Sequence, residues 1–174
     1  MERAVLCIAR TEQQASEIVG QLKAAGFPGT DVSVLFPDRG GRRDFAHAHE
    51  TKAPEGAAAG GATGGVLGGA VGWLAGIGSL AIPGVGPLIA AGPILAALSG
   101  AAAGAAIGGL GGALVGYGIP EYEAKVYEGK VRDGNILISV HTEDSKERAR
   151  AKAVFRRCGA EDVATATEAS PPSA

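Results

Sequence analysis

This chain of 174 residues lacks several features that would assign it to a familiar class. Its two cysteines, Cys7 and Cys158, are too few for a disulfide framework and favour a reducing compartment. No secretory signal is visible, because the apolar run from Ala4 to Ala9 is short for such a segment. The formal net charge of −2 argues against nucleic acid as the main partner, since phosphate binding requires a concentrated basic face.

Charge is also missing from one long segment. The 65 residues from Gly56 to Pro120 contain no Asp, Glu, Lys, Arg or His. Glycine makes up 29 of the 174 residues, and in this segment it lies among Ala, Val, Leu and Ile rather than among polar residues. Such a composition is not that of a flexible polar linker or an ordinary soluble segment.

The flanks of the uncharged segment are typical of α+β structure. An apolar run at 4–9 predicts a buried strand, a helix capped by Thr11 follows and ends at Gly26, and residues 31–36 predict a second strand. Beyond a polar loop at 38–56 and the uncharged segment, the predicted elements are a helix at 120–133, a strand at 135–141, a helix at 145–158 and a strand at 163–167.

Without the helix at 120–133, the element order is βαββαβ, which is the ferredoxin-like pattern. We therefore predict an α+β, ferredoxin-like domain that is interrupted between its second and third strands. The predicted divisions are a first half with a polar loop at 1–55, an apolar helical hairpin at 56–120, a second half at 121–169 and a disordered tail at 170–174. Because the insertion falls at an edge connection, we expect the domain to fold when the hairpin is deleted.

Glycines in the uncharged segment recur at every fourth residue. The two registers are Gly60, Gly64, Gly68, Gly72 and Gly76, and Gly100, Gly104, Gly108, Gly112 and Gly116. Four residues are close to one helical turn, so each register would form a stripe without side chains. Glycine costs a helix in water about 0.8–1 kcal/mol per position, whereas in lipid unpaired backbone costs more. The registers therefore predict two helices that pack closely as a glycine zipper.

Three prolines, Pro83, Pro87 and Pro93, separate the registers. They predict a helix at 58–82, an apolar turn through 83–92 and a helix at 93–118. Each helix of about 25 residues would reach roughly 38 Å, enough to cross a bilayer with ~30 Å of hydrocarbon. Basic residues on both sides of the hairpin favour a cytoplasmic location for the α+β domain, and Arg42 and Arg43 are candidates for contact with lipid headgroups. The alternative is a buried soluble core or a linker.

The residues that could carry chemistry do not form a recognisable motif. His47, His49 and His141, with the two cysteines, lack the spacing of metal-ligand pairs. The glycine runs are not phosphate loops, because no Lys-Ser or Lys-Thr pair follows them. The basic residues between 146 and 157 are interpreted as solvated surface. We predict no catalytic, cofactor-binding or metal-binding residues.

The uncharged segment and its C-terminal flank also carry a family resemblance. The two glycine registers, the segment Ile82–Ile94 between them and the segment Gly118–Gly134 after them resemble the bacterial general stress proteins of the heat-induced type. The resemblance is most specific between Gly60 and Val140, and it implies a stress-linked protein without a catalytic motif. The layout is also similar, more loosely, to that of a small accessory membrane protein of alternative complex III, a quinol-oxidising complex.

Three functional hypotheses follow. The first is a non-catalytic, membrane-associated stress protein that forms homo-oligomers through its glycine zippers and has a structural or envelope-remodelling role. The second is a soluble or peripheral oligomeric scaffold whose pooled apolar hairpins tether an enzyme or hold a lipid or quinone. The third is a sensor that binds a small ligand in the α+β domain and uses the hairpin as an anchor.

Overall fold

The strands and helices that flank the uncharged segment occur in the order that the sequence predicts. The structure is a computed structural model that describes residues 3–37, 74, 77–82, 85–94 and 102–167. Within these residues the elements are β1 (Arg3–Ala9), α1 (Glu12–Ala24), β2 (Val32–Pro37), β3 (Ile77–Ile82), β4 (Gly86–Ala91), α2 (Ala102–Gly116), α3 (Glu121–Arg132), β5 (Ile136–Thr142), α4 (Ser145–Arg157) and β6 (Glu161–Thr167). The predicted α+β class is confirmed.

Local side-chain chemistry sets the helix boundaries. The Thr11 hydroxyl accepts a hydrogen bond of 3.1 Å from the Gln14 amide at the start of α1. The Asp144 carboxylate accepts one of 2.8 Å from the Glu147 amide at the start of α4. Soon after α1 ends, Gly26 adopts a positive φ of 89°, a conformation that favours glycine.

The six strands form one sheet in the order β3-β4-β2-β5-β1-β6, and every neighbouring pair is antiparallel. β5 lies between β1 and β2, with Ile138 opposite Cys7 on one side and opposite Val34 on the other. The strands β1 and β2 therefore run parallel to each other without being neighbours. Their C-terminal ends lie at the same end of the sheet.

Helices cover both faces of this sheet. On one face, α1 and α4 pack over alternate strand residues, and the buried cluster there includes Val5, Cys7, Ile18, Leu22, Ile138, Val154 and Phe155. On the other face, α2 and α3 pack over the remaining strand residues, and the buried cluster includes Leu6, Ile8, Leu35, Leu110, Leu114, Tyr127 and Leu137. The second layer comes from the uncharged segment and the helix that follows it, so this segment contributes to the core.

The predicted hairpin helix at 58–82 and the predicted turn at 83–92 are wrong where the structure describes them. Residues 77–82 form β3 and residues 86–91 form β4, which pair with each other so that Ile82 lies opposite Gly86. β4 then pairs with β2, with Ala91 opposite Val34. The physical reason is that β2 otherwise ends the sheet with unpaired backbone groups, and β4 satisfies them.

One glycine shows how closely this hairpin meets the sheet. Gly92 follows β4 with a φ of +86°, and a Cβ built there would collide with the Val32 carbonyl oxygen and stand 2.9 Å from the Ser33 Cα. The Ile94 amide then donates a buried hydrogen bond of 3.0 Å to the Ser33 hydroxyl. Only a residue without a side chain allows the chain to pass β2 at this distance.

The predicted helix at 93–118 is present as α2 over residues 102–116, but it is not straight. Gly109 has φ 61° and ψ −154°, which lie outside the helical region and divide α2 into two helical segments. A straight helix is needed for glycines at every fourth position to stay on one stripe. The kink therefore interrupts the second glycine register between Gly108 and Gly112.

Candidate functional site

The structure places only part of the predicted glycine and arginine sites. Outside the described residues lie Gly60, Gly64, Gly68, Gly72, Gly76 and Gly100, together with Arg42 and Arg43. Gly104 lies in α2, Gly112 is half-buried, and Gly108 and Gly116 are exposed. Apart from the helix's own backbone, no atom of the described structure lies within 4 Å of a Cβ built at Gly108. This part of the register faces outward rather than into a neighbouring helix.

The close approach between α2 and α3 occurs at a different glycine. The Gly111 amide donates a hydrogen bond of 2.7 Å to Glu128 Oε2 on α3, and a Cβ at Gly111 would collide with the same oxygen. Because Gly109 breaks the helix, the Gly111 amide begins a new helical segment, where amides lack a carbonyl partner within the helix. Glu128 supplies that partner as a negative charge at the positive end of the segment. Arg132 holds the other carboxylate oxygen at 2.8 Å.

The exposed positions of α2 that the structure describes are apolar and carry little side chain. They are Gly108 before the kink and Gly116 and Val115 after it, with Val115 42% exposed, and together they are called the outward face of α2. Tyr122, at the start of α3, is 81% exposed and adds an aromatic ring near the end of α2. Charge is missing from 102–120 altogether, so this surface can approach another apolar or small-residue surface without desolvating a charge. None of the helices in the described ranges combines the length and hydropathy needed to cross a membrane.

A cluster of ion pairs joins β6 to β1 and α3. Glu161 contacts Arg10 and accepts a bond of 3.2 Å from Lys130, and Lys130 also lies 3.6 Å from Asp162. The Arg10 guanidinium, and next Lys130, hold the pKa of the Glu161 carboxyl below its usual value. Asp162 has a φ of +48° where the register of β6 shifts, and its carbonyl accepts a bond of 2.8 Å from the Tyr127 hydroxyl. These groups tie elements together; the charged side chains are partly or largely exposed, and Tyr127 is buried.

A small cavity lies beside this cluster at the end of the sheet where β1 and β2 finish. Its volume is about 230 Å³, and it is lined by Arg10, Thr11, Glu12, Phe36, Pro37, Gly134 and Ile136. Small-molecule sites usually occupy about 300–1,000 Å³ and converge several polar groups on the ligand. Here one basic and one acidic side chain line a smaller space, and the basic one is already paired with Glu161. The cavity does not carry a ligand assignment.

The cysteines and histidines do not form a reactive centre in the described residues. Both cysteines are free, and burial raises the pKa of the Cys7 thiol well above its usual value, with the Cys158 thiol adding to the shift. A thiol that stays protonated is a poor nucleophile and a poor metal ligand. In the ranges that the structure covers, no three His, Cys, Asp or Glu residues are grouped to hold a metal ion. His47 and His49 lie outside those ranges.

Sequence reasoning missed Gly92, Gly111 and Glu128 as positions that determine the packing. The two glycines belong to neither four-residue register, and their importance depends on which backbone or side chain passes beside them. The paired glycines at 108–109 and 111–112 are a signal for a helix break that could have been read from the sequence. Comparison of the chain with family models, curated proteins and solved structures finds no match.

Proposed function

We propose that this chain is a non-catalytic stress protein that works at the cytoplasmic membrane and self-associates through its uncharged, glycine-rich segment. The observation that carries the proposal is the outward face of α2, where Gly108, Val115 and Gly116 are exposed on a stretch of chain without charge. A second copy is the occupant that fits this face, because two small-residue surfaces can approach each other closely. The resemblance to heat-induced general stress proteins supplies the cellular context of the proposal.

The architecture of the domain that presents α2 supports a ferredoxin-like assignment. When β3, β4, α2 and α3 are set aside, the remaining elements follow the order βαββαβ. Their strands are neighbours in the order β2-β5-β1-β6. In this proposal α2 and α3 cover the face of the ferredoxin-like sheet that α1 and α4 leave open.

Self-association is tested with one substitution on each face of the molecule. Gly108→Leu adds a large side chain to the outward face of α2, where it should separate the two copies and raise the dissociation constant by about 5- to 150-fold, corresponding to an overpacking cost of ~1–3 kcal/mol. Gly20→Leu is the matched control, because Gly20 is also an open helical position but lies on α1. Leu110→Ile is the control within α2, since Leu110 points into the core.

Native mass measurement and light scattering, in buffer and in mild detergent, give the comparison. We expect an assembled parent, an assembled Gly20→Leu variant and a largely monomeric Gly108→Leu variant. If Gly108→Leu assembles as the parent does, the outward face of α2 is not the contact between copies. A parent that is monomeric at every concentration refutes the self-association part of the proposal.

The alternative is a soluble or peripheral scaffold that tethers an enzyme or holds a lipid or quinone. The observation that favours it is that β3 and β4, which belong to the uncharged segment, are strands of the same sheet as β1 and β2. Fractionation of cells that express the chain separates the two proposals. Recovery with the membranes at low ionic strength supports membrane association, and recovery in the soluble fraction with a co-purifying enzyme supports the scaffold.

A further inference from the structure

Helix α4 concentrates positive charge on a protein that is negative overall. Of its 13 residues, Glu147 is the only acid, and the basic ones are Lys146, Arg148, Arg150, Lys152, Arg156 and Arg157. Outside α4 the chain has ten basic and 17 acidic side chains, so the net charge of the rest of the chain is negative. The charge is therefore segregated onto this helix rather than spread over the surface.

The packing of α4 leaves four of these basic residues exposed and two of them, Arg148 and Lys152, half-buried. Ala151, Val154 and Phe155 are buried against the sheet and determine which side of the helix faces inward. At 100° per residue, Ala149 and Ala153 lie opposite them, and both are exposed. The basic residues flank this pair of alanines on both sides. The outer face of α4 therefore has short alanine side chains along its middle and a row of long cationic side chains on either side.

Most of these cations form no ion pair within the described residues. Arg150 lies 3.5 Å from Glu147 and its guanidinium stands 5.0 Å from the centre of the Phe27 ring. The side chains of the other five form no ion pair or hydrogen bond with any residue that the structure describes; these are Lys146, Arg148, Lys152, Arg156 and Arg157. Basic residues that tie elements together form ion pairs with acidic side chains, as Lys130 and Arg132 of α3 do.

We propose that the outer face of α4 is a docking surface for a membrane rich in anionic phospholipids. Charge complementarity selects an anionic partner, since the five cations of α4 that form no ion pair with a described residue attract a negative surface. The exposed alanines allow the helix to lie flat, which suits a planar array of headgroups. Nucleic acid is the weaker candidate, because the rest of the chain is acidic and α4 presents no aromatic side chain on which bases could stack.

The position of α4 also separates this surface from α2. The two helices pack on opposite faces of the sheet, α4 with α1 and α2 with α3. A molecule bound to lipid headgroups through α4 therefore leaves the outward face of α2 free for a second copy. The inference rests on the proposed membrane association and names the surface and the lipid chemistry that provide it.

Vesicle flotation of the full chain tests the proposal. The vesicles contain phosphatidylcholine alone or phosphatidylcholine with phosphatidylglycerol. The test variant is Lys152→Gln/Arg156→Gln. Each basic residue near an anionic surface contributes about a fivefold increase in partitioning, so we expect a roughly 25-fold loss of binding to the anionic vesicles. The charge-conserving control Lys152→Arg/Arg156→Lys should bind as the parent does. So should Lys125→Gln, because Lys125 lies on α3.

Each outcome decides between the proposals. Binding that needs phosphatidylglycerol, weakens with added salt and falls in the test variant supports the docking surface. Equal binding by the parent and the test variant overturns it. If the parent floats with phosphatidylcholine alone regardless of charge, membrane association stands and the role of α4 fails. If it floats with neither vesicle, both fail. A DNA oligonucleotide that binds through α4 and displaces the vesicles assigns the face to nucleic acid instead.

Discussion

The junction between β4 and β2 gives the sharpest test of the fold, because it is where the structure departs from a helical hairpin. Gly92→Ala places a methyl group against the Val32 carbonyl at a backbone φ of +86°. The positive φ alone costs an alanine about 1–2 kcal/mol, and overpacking against rigid backbone adds ~1–3 kcal/mol. We therefore expect the free energy of unfolding to fall by roughly 2–5 kcal/mol.

Gly86→Ala is the matched control within the same hairpin. Gly86 has a φ of +92°, but apart from its chain neighbours no atom of the described residues lies within 4 Å of a Cβ built there. This change should cost only the conformational term, about 1–2 kcal/mol. The difference between the two variants then measures the contact with β2.

Urea unfolding followed by circular dichroism, with a thermal scan as a second readout, measures both variants. In a protein of this size about 3 kcal/mol corresponds to a drop of roughly 6–12 °C in Tm. The helical hairpin expected from the sequence places Gly86 and Gly92 together in its turn at 83–92, away from β2, so it predicts no added cost at Gly92. Stabilisation by Gly92→Ala, or equal effects at the two positions, would refute the pairing of β4 with β2.

Four further predictions follow from the contacts described above. Glu128→Ala should lower the free energy of unfolding by about 1–2 kcal/mol, because the Gly111 amide loses its charged acceptor; a denaturation midpoint equal to the parent's contradicts this. Thiol counting in denaturant without reductant should find both Cys7 and Cys158 free, and one bridge per chain would be the contrary result. Deletion of 56–120 removes β3, β4 and α2 and leaves only α3 on the second face of the sheet, so we now expect an aggregating product rather than the soluble domain that the sequence suggested; sedimentation and proton NMR check this. The pKa of Glu161 is lower in the folded protein than in the unfolded chain. Its ion pairs therefore stabilise the fold fully above the unfolded pKa, and this stabilisation is lost as the pH falls through the folded pKa. Glu161→Gln should flatten the loss of stability below about pH 4, which unfolding midpoints measured across that range would show.

The elements that flank the uncharged segment were predictable because local signals agree there. Continuous apolar runs mark β1 and β5, and Thr11 and Asp144 cap the helices that follow them. Each of these signals acts within a few residues of the element that it specifies. The resulting α+β assignment therefore needed no knowledge of which elements meet in space.

The conformation of 77–92 was not predictable in the same way. Its residues are apolar in either conformation, and the four-residue glycine spacing favours a helix as far as Gly76. The strand conformation is selected by the free edge of β2, whose backbone groups pair with β4. That edge is distant in sequence, so the selection depends on the tertiary arrangement.

The two candidate surfaces, on α2 and on α4, also depend partly on the sequence and partly on the tertiary structure. The sequence by itself determined that a long segment would be uncharged and glycine-rich, and that positive charge would gather between 146 and 157. Tertiary structure alone decided that Gly108 faces outward while Gly111 meets Glu128, because the kink at Gly109 rotates one half of α2 relative to the other. It also decided that five of the six basic side chains of α4 form no ion pair with a described residue, because burial of Val154 and Phe155 sets the rotation of that helix. Composition specifies which groups are available, whereas packing and pairing specify which of them reach the surface unpaired.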